Sequence, residues 1–362
     1  MPEAGAVDAG DCVHPVDALS AEALATARSR LDPAAGNLVS ALWVDSTGQL
    51  ALIVHHLAVD AVSWRILLED LNIAWAQHYN GQAITLPVTG TSFATWATRL
   101  VEHSKDQAVV DHADAWRQVV STPAALPAPR PGIDTYANAG HLTTTLDPAT
   151  TRRLLGDVAA AFHAGINDIL LIAVALACSE FLGRQATAVG IDVEGHGRDE
   201  DISPDVDLSR TVGWFTTKYP VALTVGGVRW AQVVAGDAAL GTVLKGAKEQ
   251  LRAHPDGVTY GLLRYLNPPD VDLTGSDPMI GFNYLGRLGA GTGSDAAGDL
   301  WRPSRDSLSV TDAATAIPMP LSHTVEVNAA IVDADAAHSS PRPGSGHNRL
   351  STMSRSAASA GC

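Results

Sequence analysis

Two strings far apart in the chain hold the side chains best suited to moving a proton. The first reads His55-His56-Leu57-Ala58-Val59-Asp60-Ala61-Val62-Ser63-Trp64 and lies between an apolar run and a helical pattern. The second reads Asp192-Val193-Glu194-Gly195-His196-Gly197-Arg198 and follows another apolar run. An imidazole titrates near neutrality and serves as general base or acid. A carboxylate in a glycine-flanked loop, at the mouth of an apolar strand, is expected to be partly desolvated, which raises its proton affinity. A histidine and a glutamate facing one cavity can pass a proton on and off a carbon acid.

Each string also has a plainer reading. Paired histidines could ligate a metal, but neighbours in a strand face opposite ways, and no nearby cysteine or third histidine completes a set. Both could be structural histidines satisfied within the fold, and Glu194 could be a solvated loop carboxylate. Asp60 and Ser63-Trp64 alter the weighing of the first string. The acid suits an internal ion pair that fixes the turn, which assigns His56 to the cavity and His55 to packing. His196 and Arg198 are expected to shape their loop, whose glycines can take positive φ or let the backbone approach a ligand closely. Two further strings, 210–216 and 281–287, are aromatic and fit core packing. In the second, Asn283 and Tyr284 add polar groups able to hold a carbonyl oxygen. No phosphate loop, dinucleotide fingerprint or nucleophile elbow occurs.

The elements around these strings follow from periodicity. Residues 38–44 and 50–54 read as strands about the turn 45–48, and the second strand runs into His55. Ser63 or Asp60 opens a helix through Tyr79, with Ile66, Leu67, Leu71 and Trp75 at helical spacing. A short helix is expected over 21–30, and further helices over 92–104, 106–120 and 230–253. Asp147-Pro148 reads as a helix start, and 166–181 as a nearly all-apolar, buried helix. Strands are expected over 141–146, 186–192, 221–225, 280–284 and 324–332. The expected organisation is a poorly ordered lead-in over 1–35 and a partial N-terminal lobe over 36–121. A proline-punctuated linker over 122–140 follows, then a C-terminal lobe over 141–334 and a disordered, apolar-poor tail over 335–362.

With 362 residues the chain can bury a sizeable core, and 46% hydrophobic against 17% charged residues fits a globular protein. A net charge of −15 without any basic run argues against a nucleic-acid surface. Cys12, Cys178 and Cys362 show neither metal spacing nor a disulfide framework, which points to a reducing, cytoplasmic compartment. The first residues lack a basic n-region, and the apolar run 169–178 is too short to span a bilayer.

Taken jointly, the strings resemble the condensation-domain superfamily of non-ribosomal peptide synthetases, and more closely its epimerization branch, over about residues 36–332. Residues 55–60 match the HHxxxD core, and 63–71 continue it in the epimerization form. Residues 192–198, 210–219 and 282–287 match three further epimerization motifs in order. Ordinary condensation domains share the histidine motif but usually lack the EGHGR and FNYLG strings.

The resemblance implies an α/β fold of two chloramphenicol-acetyltransferase-like lobes, two-layered and V-shaped, with the active site at their junction. It implies an aminoacyl or peptidyl thioester on the phosphopantetheine arm of a carrier domain as substrate, other synthetase modules as partners, and no cofactor or metal bound by the chain itself. His56 and Glu194 would flank the α-carbon, one removing the proton and the other returning it from the opposite face. His55, Asp60 and Trp64 would support them, Asp60 by anchoring the loop through an arginine. Asn283 and Tyr284 would hold the enolate oxygen. An early PxQ-type motif and the C-terminal elements of the family are not matched, nor are adenylation or carrier motifs. The expectation is therefore a clipped copy, weakly active or inactive alone. Amide-bond condensation, and an inactive fragment or carrier-docking module, stand as the competing functions.

Overall fold

The computed structural model describes residues 8–183, 187–267, 271–288, 301, 319–334 and 347–356. The chain divides into two compact units, one from residues 1–96, 200–215 and 296–316 and the other from 97–199, 216–295 and 317–362.

The first unit is built on a three-stranded sheet of order β1-β2-β3: β1 (Val13–Pro15), β2 (Val39–Val44) and β3 (Gln49–Val54). β2 and β3 form an antiparallel hairpin closing through residues 45–48, with Gly48 at φ 62°, a left-handed position that glycine occupies without strain. β1 pairs parallel to β2, and a helix, Ala21–Ser29, packs on β2. The short helix expected over 21–30 is present, and the lead-in expected to be poorly ordered contributes the strand β1 as well. Its composition carries little apolar signal, but the free edge of β2 offers backbone donors and acceptors that any extended segment can satisfy. Leu42, Val44, Val59, Ile66, Leu208 and Phe215 are among this unit's buried side chains.

The second unit carries a six-stranded sheet of order β4-β9-β8-β7-β5-β6: β4 (Gly140–Leu146), β5 (Val189–Gly195), β6 (Thr217–Leu223), β7 (Ile280–Leu288), β8 (Val325–Ala334) and β9 (His347–Ser356). β5 pairs parallel with β7 and β7 with β8, while the remaining pairs are antiparallel. The apolar helix Ile166–Phe181 packs on β5 and on the helix Ala239–Ala253, which also meets β6. Leu171, Ile172, Ala175, Ile191, Val193, Leu223, Ile280 and Phe282 fill the space between. Removing each of the larger ones from water contributes roughly 1.5–3 kcal/mol.

Several boundaries differ from the sequence expectation, each for a tertiary reason. The units part at Trp96, inside the helix Phe93–His103, and not across 122–140. The helix Ala113–Val120 belongs to the second unit, where the buried Trp116 donates from Nε1 to Thr259 Oγ1 at 2.9 Å. Within the expected linker, Ala125 and Leu126 pack on the second unit's core, and Thr135 bridges to Pro320. In the tail expected to be disordered, 347–356 form β9, because pairing with both β4 and β8 uses backbone groups and asks little of composition. The helix expected over 230–253 is interrupted by Gly236 at φ 68° and restarts where Asp237 accepts the Ala239 N–H at 2.9 Å. The one expected over 106–120 is split into Gln107–Val110 and Ala113–Val120. Among the described residues no single helix is long and apolar enough to cross a membrane.

Candidate active site

His56 lies just beyond β3, opening a single 3-10 turn, His56–Ala58. His55 precedes that turn, and its Nδ1 accepts the Leu57 N–H at 3.2 Å, so His55 shapes the backbone that presents His56. The imidazole of His56 is exposed. Its ring lies 4.7 Å, centroid to centroid, from the indole of Trp214, tilted by 55°.

Asp60 caps the long helix Ala61–Tyr79. Its buried carboxylate accepts the Ser63 N–H at 2.7 Å and the Phe215 N–H at 3.3 Å. Asp60 is thus anchored on backbone donors, which the start of a helix leaves unsatisfied by its own turns. Ser63, fully buried, donates from Oγ to the Gly213 carbonyl at 2.9 Å and accepts the Gly213 N–H at 3.1 Å. The backbone on either side of Trp214 is therefore fastened to the first turn of this helix. Farther along it, Arg210 forms ion pairs with Glu69, at 2.9 Å, and with Asp70. Trp64 is 41% exposed on the same first turn.

In the second unit Glu194 is the penultimate residue of β5, paired with Lys218 of β6. The expectation of a loop is corrected: the strand runs from 189 to 195, since the ladder with β6 continues past the apolar run. Glu194 is exposed. Its Oε2 accepts a hydrogen bond from Asn283 Nδ2 at 2.6 Å. Gly195 sits where a Cβ would come within 2.9 Å of Thr217 Oγ1, and Gly197 has φ 64°. The first glycine thus serves close strand packing and the second a left-handed turn. His196 Nδ1 accepts the Arg198 N–H at 3.0 Å, as a loop-shaping residue does.

Side chains alternate along a strand, and this separates the pair on β7. Asn283 reaches Glu194, whereas the ring of Tyr284 packs against the hydrophobic core. Burial pushes the Tyr284 hydroxyl above its ordinary value, with Arg287 opposing, so it remains an O–H donor at neutral pH. Beyond it the register of β7 against β8 shifts between Tyr284 and Arg287, with Gly286 at φ 72°, which places the glycine of this string in a β-bulge. Two residues before Glu194, the buried Asp192 pairs with the buried His323 at 3.0 Å and with Lys218 at 3.1 Å. A Cβ at Gly281 would come within 2.6 Å of the His323 ring. The roles of His323 and Ser63 escape sequence reasoning. Neither has a periodicity cue, and their partners lie 131 and 150 residues away.

His55, His56, Asp60, Trp64 and Trp214 thus belong to the first unit, and Glu194, Asn283 and Tyr284 to the second. Among the described residues no group of three or more His, Cys, Asp or Glu side chains is placed to hold a metal ion.

A family profile described as "Condensation domain" matches residues 17–328. A linear gramicidin synthase of Brevibacillus parabrevis is 38% identical over 328 residues, 86% of this chain and 4% of that protein. The chondramide synthase cmdD of Chondromyces crocatus is 41% identical over 258 residues, 69% of this chain and 6% of that protein. The chain thus spans a small fraction of the curated relatives it matches. Among solved structures, the epimerization domain from the third module of tyrocidine synthetase B superposes with a TM-score of 0.74 at 29% identity, covering 95% of this chain and 73% of that one. The first condensation domain of the CDA synthetase gives 0.53 at 18% identity, covering 98% and 73%, a likeness of fold. The mixed α/β units are those of the chloramphenicol-acetyltransferase-like fold that these domains share. The chain belongs to the condensation-domain family of non-ribosomal peptide synthetases, in its epimerization branch.

Proposed function

We propose that the chain epimerizes an aminoacyl or peptidyl thioester carried on the phosphopantetheine arm of a carrier domain, with His56 and Glu194 as the groups that take and return the α-proton. A thioester acidifies the α-carbon, and loss of its proton leaves a planar enolate. Inversion then needs a proton delivered to the other face, a task for two groups that act from opposite sides. The chain itself brings no cofactor to this reaction in our reading. The carrier domain and neighbouring synthetase modules are its partners.

The observation that carries the reading is the Glu194 carboxylate, fixed by Asn283 at 2.6 Å at the end of β5. Amide-bond formation, the second reading, is favoured by the family profile and needs the histidine motif, but has no use for a carboxylate held in this way. The structural similarity to an epimerization domain supports the first. The test is incubation with an L-aminoacyl-loaded carrier protein in D2O, followed by mass and chiral analysis of the released residue. Epimerization gives deuterium at the α-carbon and the D-isomer. A peptide bond to an acceptor carrier with no α-exchange would establish condensation instead. Binding of the loaded carrier with neither outcome would leave a docking module.

A further inference from the structure

We propose that Trp214 is the positioning residue that sets the orientation of the His56 imidazole. The inference rests on reading His56 as a proton-transfer group. An acid–base histidine needs its ring held, and the usual device is a hydrogen bond to the ring nitrogen that does not react. Among the described residues no hydrogen bond reaches either ring nitrogen of His56. What the ring meets is the indole of Trp214, at 4.7 Å and 55°, within the range where aromatic rings attract in tilted arrangements.

The placing of Trp214 is itself over-determined. Gly213 before it exchanges two hydrogen bonds with the Ser63 hydroxyl, and Phe215 after it donates to Asp60. Ser63 and Asp60 belong to the same string as His56, so the indole is referenced to the helix terminus that the histidine precedes. Phe215 is buried and meets Phe93 edge-on at 5.1 Å, and a Cβ at Gly213 would come within 2.4 Å of the Phe93 ring. Only a glycine lets the backbone pass there. Trp214 itself remains 42% exposed, so burial of its own ring does not account for the fastening on both sides. The arrangement instead delivers one flat surface to one imidazole.

The test compares the whole chain with its Trp214→Leu and Trp214→Phe variants. α-Deuterium uptake by an L-aminoacyl carrier protein is followed for kcat and KM, and the His56 ring protons by NMR, assigned with His56→Ala. Misplacing a reacting group by about 1 Å can cost on the order of 100-fold. We expect Trp214→Leu to lower kcat by about tenfold or more with KM for the loaded carrier unchanged, a loss confined to the transition state. Trp214→Phe restores most of it, because a flat ring is kept. The His56 ring protons lose their indole ring-current shift in Trp214→Leu, while the melting temperature holds. Unchanged His56 ring resonances in Trp214→Leu overturn the proposal. So does a rise in KM at constant kcat, which would make Trp214 a substrate contact. If His56→Ala keeps full exchange, the functional reading fails, while the ring resonances still decide whether Trp214 orients the imidazole.

Discussion

Asn283 donates its side-chain amide to Glu194 across the parallel β5–β7 pair at 2.6 Å. The two residues stand 89 positions apart in the chain. This bond turns a terminal, exposed strand carboxylate into one with a defined direction, and it gives Asn283 a role other than holding a substrate oxygen.

Asn283→Ala removes the donor without touching the charge. We expect α-proton exchange to fall by roughly tenfold or more, within the range for misaligned acid–base groups, with kcat affected more than KM. Wild-type exchange kinetics in this variant would show that Glu194 needs no such guide.

His56→Ala and Glu194→Gln should each cost roughly 100-fold or more in exchange. The two losses should differ with the hand of the substrate, because a group facing one side of the α-carbon abstracts from only one enantiomer. Deuterium uptake is measured separately on L- and D-aminoacyl carriers. Full rates in both variants would remove both residues from the mechanism.

Ser63→Ala leaves the Gly213 N–H and carbonyl without their shared partner in a fully buried place. Such groups cost about 1–3 kcal/mol when orphaned. The urea midpoint should fall accordingly, with the m-value unchanged.

Gly213→Ala places a methyl against the Phe93 ring, and overpacking of this kind typically costs about 1–3 kcal/mol. Phe93→Leu should relieve part of that cost, so the double variant is more stable than the sum of the single changes allows. Strict additivity in thermal melts would place the strain elsewhere.

His254 supplies a pH dependence. Burial holds its imidazole below the ordinary 6.5. It lies against Trp116, 5.4 Å between centroids, and its Nδ1 is buried without a hydrogen-bond partner. Above about pH 6.5 both folded and unfolded chains hold it neutral. As the pH falls through that value the unfolded chain gains a proton that the folded chain does not, so stability drops. The drop ends once the pH passes the lower folded value. His254→Gln should flatten the stability profile below about pH 6.5 relative to the wild type. Parallel profiles would mean that this imidazole does not contribute.

Local features are legible in the chain alone. The spacing of Ile66, Leu67, Leu71 and Trp75 marks the helix that Asp60 caps, the unbroken apolar run marks the buried helix Ile166–Phe181, and the HHxxxD and EGHGR strings mark His56 and Glu194. Helical period, capping and motif spacing are all written within a few residues of one another. Which groups meet is settled by the folded chain. Strand register brings Asn283 to Glu194 and sends Tyr284 to the core, and a buried hydroxyl on the first turn of a helix fastens the loop that carries Trp214 to His56. Folding also extends β5 through Glu194, gives β2 a partner in residues whose composition reads as loose, and assigns the helices after Trp96 to the second unit. These outcomes depend on pairings between backbone groups and side chains dozens to more than a hundred residues apart, and a backbone donor looks the same in every residue but proline.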